Sequence, residues 1–271
     1  MPISMSREEL DRAYNNSLAV TDSAKIVAAW GLASHAVRSK NTPHNDLSYG
    51  DGHSVSFDFF SAGRNTPVLA FIHGGFWQNR AKSDFAFLVP AIVEAGISVA
   101  MLGYRLAPFA KMNEIVEDVR SGIHAVIAHL NKEQGHCPGI WLTGWSAGGH
   151  LAAMMLNEPG VAGVTAISGI YDLEPMRHCY INDKLALDEK MSRDYSPILL
   201  PQTSNKTIDL FVGGAELAEM QRQTSDFALY RQQCSAPGVY SNLPGLNHYT
   251  ILDELGKSNG KILASIKARI L

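Results

Sequence analysis

Apolar and polar positions change period several times along this chain. Near the N-terminus the spacing is helical: Ser6 with Glu9 makes a capping box, and Leu10, Ala13 and Tyr14 follow on one face. A second helix is expected from near Asp22 through Ile26, Trp30 and Val37. Residues 39–45 are rich in turn formers, and LSYG and SVSFDFF, around Gly50-Asp51-Gly52, read as two short strands. Beyond Pro67 the pattern becomes an alternation. VLAFIH (68–73) is almost continuously apolar, as a strand covered on both faces must be. A helix over 83–95, a strand over 97–104, a helix over 111–134 and strands over 140–144 and 164–169 follow. After them come a strand over 207–214, a helix over 217–234, a strand over 238–243 and a last helix over 249–269. Between 170 and 206, Pro175, Pro197 and Pro201 interrupt the alternation.

Alternating elements with buried strands imply an α/β fold, a mostly parallel sheet with helices on both faces. The expected organisation is a single domain over 1–271, with a helical arm over 1–45 and a short lid-like insertion over 170–206. Ligands of such sheets gather at the carboxyl ends of the strands.

Composition narrows the setting without choosing a function. The 271 residues are 46 % hydrophobic and 18 % charged, with a net charge of −3, so neither nucleic acid nor an anionic membrane is expected as a partner. Three cysteines, Cys137, Cys179 and Cys234, are widely spaced without a C-x-x-C pair and read as reduced thiols. The polar N-terminus has no export signal, and no apolar run reaches the roughly 18 residues of a membrane span. The expected location is the cytoplasm. No H-E-x-x-H, Walker or dinucleotide fingerprint is present, so no metal and no cofactor are expected.

The chemistry concentrates at 141–156, WLTGWSAGGHLAAMML. Gly144-Trp145-Ser146-Ala147-Gly148 is a G-x-S-x-G pattern between a strand and a helix. That sharp turn lifts a serine hydroxyl clear of its own backbone. A nucleophile developing negative charge is also favoured at a helix N-terminus. His73-Gly74-Gly75-Phe76-Trp77 follows the first long strand. Its glycines let backbone N–H groups approach a substrate oxygen, with the N–H of Ala147 as a further donor for an oxyanion. A base must come from ten histidines. His35, His44, His53, His124, His129 and His136 have no elbow-like neighbours, His150 points back along the elbow helix, and His178 sits in the lid. His248 follows the last strand and gives the chain order Ser, acid, His. For the acid, Asp209 lies too early in its strand and Asp226 roughly 15 Å along the next helix at 1.5 Å per residue. Glu216, in the loop leaving the strand, and Glu219, at the helix start, both remain.

HGGFW at 73–77, YRLAP at 104–108, GWSAGGHLA at 144–152, SGIYDLEP at 168–175, GGAE at 213–216 and NHYTIL at 247–252 carry a resemblance. From about Leu10 to the C-terminus the chain resembles the arylformamidase (kynurenine formamidase)-like branch of the α/β-hydrolases. The resemblance implies a metal-free hydrolase with Ser146, Glu216 and His248 as triad, Gly74 and Gly75 in the oxyanion loop, and an aryl formamide such as N-formylkynurenine as substrate. Trp145 stands where the family often has His, and Glu216 where Asp is common. Phe76, Trp77, Trp145, Tyr171 and Tyr249 are expected to wall an aromatic pocket. The alternatives are a general carboxylesterase for short-chain esters and a hydrolase fold kept for ligand binding alone. The expected partner is a small-molecule amide or ester, and the reading allows a homodimer.

Overall fold

Eight strands form one sheet in the order β1-β2-β4-β3-β5-β6-β7-β8 in a computed structural model that describes residues 5–41 and 44–271. Residues 1–4 and 42–43, within the expected arm and its connection, lie outside the described residues. Helices α1 (Arg7–Ala13), α2 (Asn16–Ala19) and α3 (Ser23–Arg38) come first, and Ser6 caps α1 with the expected reciprocal Glu9 bonds. Strands β1 (Leu47–Ser48) and β2 (Ser56–Phe60) pair antiparallel, and β2 runs antiparallel to β4. The parallel part comprises β3 (Val68–Ile72), β4 (Ser98–Leu102), β5 (Ile140–Trp145), β6 (Val161–Ile167), β7 (Thr207–Gly213) and β8 (Tyr240–Leu243). The connecting helices are α4 (Val89–Glu94), α5 (Met112–Gln134), α6 (Ala147–Met154), α7 (Asn182–Leu185), α8 (Glu189–Asp194), α9 (Ala218–Gln233), α10 (Asp253–Gly256) and α11 (Lys261–Ile270).

The continuous apolar runs are explained by what lies on each face. Ala70, Ile72, Ala100, Leu102 and Leu142 belong to one buried cluster. Leu69, Phe71, Val99, Met101 and Trp141, their alternating neighbours, belong to the other. A period of two is present, and both phases are buried. Each of the larger aliphatic and Phe side chains among these contributes about 1.5–3 kcal/mol by leaving water, and each alanine methyl about 0.8 kcal/mol.

Three elements differ from the sequence expectation. The helix expected over 83–95 is two 3₁₀ turns (Lys82–Asp84 and Ala86–Leu88) followed by the short α4, which starts around Pro90. The last helix breaks into α10 and α11, because the chain turns at Gly260, where a Cβ would stand 2.2 Å from the Glu254 carbonyl oxygen. Strand β6 begins at Val161 and ends at Ile167. Ser168 leaves the sheet with φ of 50°.

The arm and the insertion both pack on the domain. Trp30 of α3 stacks on Phe87 and meets Trp145 edge-on. The Tyr14 hydroxyl donates to Glu219 at 2.9 Å and accepts from the Gln223 amide at 3.0 Å. Residues 170–206 fold as short helices that bury Leu173, Met176, Cys179, Ile181, Leu185 and Leu187. Among the described residues no helix is long and apolar enough to cross a membrane.

Candidate active site

Ser146 sits between β5 and α6 with φ 57° and ψ −121°, a strained conformation for a residue with a side chain. The turn is this tight because α6 presses against β3. A Cβ on Gly148 would lie 2.0 Å from the Ile72 carbonyl oxygen. The loop after β3 is equally close. A Cβ on Gly74 would stand 2.6 Å from the Trp145 carbonyl oxygen and 3.0 Å from the Ser146 Cβ. The two glycine-containing motifs thus meet at the serine. Gly75, Phe76 and Trp77 all have positive φ, and the N–H groups of Gly74 and Gly75 donate to no protein acceptor among the described residues. They are free to donate to a ligand oxygen.

His73 fixes the root of that loop. Its ring stacks on Tyr104 at 4.2 Å, its Nδ1–H donates to the Gly74 carbonyl at 2.8 Å, and Tyr104 donates to the His73 carbonyl at 2.8 Å. Burial pushes the His73 imidazole down to about 4, the bond to Gly74 only partly opposing it. At neutral pH it is an uncharged structural ring.

The remaining sequence candidates separate by their partners. His248, in the loop after β8, donates from Nδ1 to Glu216 Oε2 at 2.6 Å, and both side chains are almost wholly buried. Glu216 Oε1 accepts from the Gly213 N–H at 2.7 Å and from the Ser168 hydroxyl at 2.5 Å. The rival acids are engaged elsewhere. Glu219 bonds Tyr14 and Arg222, Asp209 pairs with Arg269, and Asp226 pairs with Arg222. His178 is exposed beside Glu174. His150 accepts from the Trp77 indole through Nδ1 at 3.2 Å and donates from Nε2 to the Tyr195 carbonyl at 2.7 Å. It is a buried bridge, with its imidazole pushed down to about 4 by desolvation.

Of the five rings expected to wall an aromatic pocket, four are buried. Trp77 and Tyr171 are fully buried in the core, Tyr171 stacked on Phe227 at 4.4 Å. Trp145 donates to the His248 carbonyl at 2.8 Å and lies 4.8 Å from its ring, so it supports the histidine from beneath. Tyr249 packs into the core with its hydroxyl on Ser17 of the arm at 2.9 Å. Phe76 alone of these keeps intermediate exposure. These rings are amphipathic, and the sequence does not say which of their faces is spent on packing. Ser168 and His150 lie inside the quoted motifs, yet motif reasoning missed what they hold, since their partners Glu216, Trp77 and Tyr195 are distant in sequence. Among the described residues no group of three or more His, Cys, Asp or Glu is disposed to hold a metal ion.

The sheet order, the strained serine between β5 and α6 and the buried Glu–His pair at the strand ends define an α/β-hydrolase, and the chain is a hydrolase of that class. Within the class it resembles the kynurenine formamidases over nearly its whole length, as its HGGFW and GWSAGGHLA motifs imply. It is 28 % identical to the kynurenine formamidase of Danio rerio, with 94 % of each chain covered. To that of Salmo salar it is 29 % identical, over 93 % of this chain and 92 % of the relative. The BD-FAE family model matches residues 60–182. A Silicibacter protein provisionally assigned as a thioesterase superposes with a TM-score of 0.82 at 26 % identity, covering 94 % of this chain and 98 % of that one. The carboxylesterase EstE1, from a metagenomic library, shares the fold at a TM-score of 0.72 and 17 % identity, with both chains fully covered.

Proposed function

We propose that this chain is a serine hydrolase that removes a small acyl group from an aryl amide, an N-formylkynurenine-like formamide. The observation that carries the proposal is the buried 2.6 Å bond between His248 and Glu216, in a chain whose Ser146 is held on a strained elbow. In this reading Ser146 Oγ attacks the carbonyl carbon while His248 Nε2 takes its proton. The N–H groups of Gly74, Gly75 and Ala147 hold the oxyanion, and His248 returns the proton to the departing arylamine. Water, deprotonated by His248, then releases formate and restores Ser146. Glu216 keeps Nδ1 protonated and stabilises the imidazolium. Similarity to two fish kynurenine formamidases along almost the entire chain supports the choice of a formamide.

A short-chain carboxylesterase is the second reading. Its ester cleavage, though not its acyl length, is supported by 34 % identity over 115 residues, 41 % of this chain and 27 % of the relative, to an isoprenylcysteine alpha-carbonyl methylesterase of Arabidopsis thaliana. Initial rates on N-formylkynurenine, simple aryl formamides and acetyl, butyryl and hexanoyl aryl esters separate the two. The formamidase reading expects the formamides to be best and longer acyl chains to be rejected by clash, beyond the 1–3 kcal/mol or so that each methylene carries in a permissive pocket. If butyryl or hexanoyl esters are the best substrates and the formamides are inert, the esterase reading replaces it.

A further inference from the structure

Besides His248, two donors hold Glu216, both through Oε1, and only one of them is backbone. The Gly213 N–H donates to Oε1 at 2.7 Å, as an amide at a strand end can in any sequence. The other donor is the Ser168 hydroxyl, 2.5 Å from the same oxygen and carried just past the end of the neighbouring strand β6. Ser168 is fully buried, and its φ of 50° is a conformation that costs a side-chain-bearing residue about 1–3 kcal/mol. Its N–H donates to the Phe211 carbonyl at 2.7 Å, which ties the turn to β7. Glycine would relax this backbone at once but would bring no hydroxyl to the carboxylate.

With Oε1 taken by two donors, rotation of the carboxylate is fixed and Oε2 is left aimed at His248. We propose that Ser168 is a positioning residue for the Glu216–His248 pair, its hydroxyl setting both the rotation of the carboxylate and the share of negative charge that Oε2 presents to the imidazole. The proposal rests on the reading of Ser146, His248 and Glu216 as one acting unit. The titratable groups facing the pair are Tyr249, whose ring centroid lies 5.9 Å from that of His248, and Tyr171, whose hydroxyl lies against Gly169. Among the described residues no lysine, arginine or second carboxylate bonds either side chain.

The test uses Ser168→Ala and Ser168→Gly in the full chain, with p-nitrophenyl acetate and an aryl formamide as substrates. Rates are normalised to sites titrated by an active-site phosphonate, and folding is checked by thermal melts. Both variants lose the hydroxyl and only glycine loses the strain. A charge-assisted bond of this kind predicts that kcat falls about tenfold or more in both, with KM nearly unchanged. Without the donor more charge remains on Oε2 and the imidazolium is better stabilised. The acid limb of the kcat/KM profile therefore moves to higher pH by a few tenths of a unit in both variants. An unchanged kcat, a loss that glycine restores, or a fall in kcat with an unmoved limb would each overturn the role. The underlying reading is checked separately. If the phosphonate fails to label Ser146 in the unaltered protein, the serine-hydrolase reading falls. Normal labelling with any of the overturning outcomes removes Ser168 alone.

Discussion

The Trp77 indole N–H donates to His150 Nδ1 at 3.2 Å, joining the loop after β3 to the elbow helix α6 through a fully buried contact. The opposite ring nitrogen of His150 donates to the Tyr195 carbonyl, so the insertion is fastened to the same ring. This arrangement needs a neutral imidazole, because Nδ1 must accept.

Stability should therefore depend on pH in a defined direction. His150 and His73 are both held down to about 4 by burial, against 6.5 for the free side chain. The unfolded chain binds the protons first, so this contribution is complete above pH 6.5 and is lost as pH falls towards 4. Each histidine should add up to about 1.4 kcal/mol per pH unit to the slope in that window, on the order of 3 kcal/mol in total. Urea denaturation of the unaltered protein and of His150→Gln between pH 7.5 and 4.5 measures it. The variant should be less stable at pH 7.5 and have the shallower slope. Equal slopes would mean that His150 takes up its proton in the folded chain as readily as in the unfolded one, and that burial does not hold it neutral.

Ser146 is expected to show a conflict between stability and activity. Its φ of 57° with ψ of −121° is a region that glycine occupies freely and alanine does not. Ser146→Gly should be more stable than Ser146→Ala by about 1 kcal/mol, and both should lose several orders of magnitude in rate. Thermal melts and single-turnover rates read the two effects independently. More than a few per cent of residual activity in either variant excludes Ser146 as nucleophile.

Much of this site was legible in the chain because its motifs are local. A serine elbow is made by contiguous residues, and the close approach of Gly148 to Ile72 leaves its mark as a glycine in the pattern. The buried strands were legible for a similar reason, since Leu69 and Ala70 face different clusters and both phases must be apolar. Ser168, His150 and Asp58 were not legible. Their roles depend on which strand end or helix lies opposite in space, and a serine before a glycine looks like any turn. The break between α10 and α11 was hidden because helical spacing continues across Gly256 and Gly260, while the tight passage by Glu254 is tertiary.

Asp58 is the clearest case of a buried charge with a structural task. It lies in β2 with no exposed surface and accepts from Arg38 Nε at 2.6 Å, Lys82 Nζ at 2.5 Å and the Asp46 N–H at 2.8 Å. Arg38 ends α3 and Lys82 follows the HGGFW loop, so one carboxylate joins the arm, the sheet and the loop. Asp58→Ala should destabilise by about 3–5 kcal/mol, because Lys82 stays buried with only Asp46 beside it. The double variant Asp58→Ala with Lys82→Met should recover a large part of that loss in urea denaturation. If it is no more stable than the single variant, the cost comes from packing and not from the stranded charge.

The assignment of the acid can be tested against its nearest rival. Glu216 and Glu219 are three positions apart, both carboxylates and both at the carboxyl end of β7, yet their surroundings differ in kind. Glu216 is enclosed and its Oε2 bonds His248. Glu219 is engaged by Arg222 through two nitrogens and by the Tyr14 hydroxyl, which is a structural link between α9 and the arm. Replacing Glu216 by Gln keeps the size and most hydrogen bonds but removes the charge that fixes the Nδ1–H tautomer and stabilises the imidazolium. The rate should fall by up to about 10⁴ with the fold preserved. Glu219→Gln should leave kcat within a few-fold and weaken the attachment of the arm, at about 1 kcal/mol for the half-buried ion pair. Kinetics on folded, phosphonate-titrated samples and thermal melts of both variants decide the matter. A large rate loss in Glu219→Gln with little in Glu216→Gln would make Glu219 the acid and the His248–Glu216 bond incidental to the chemistry.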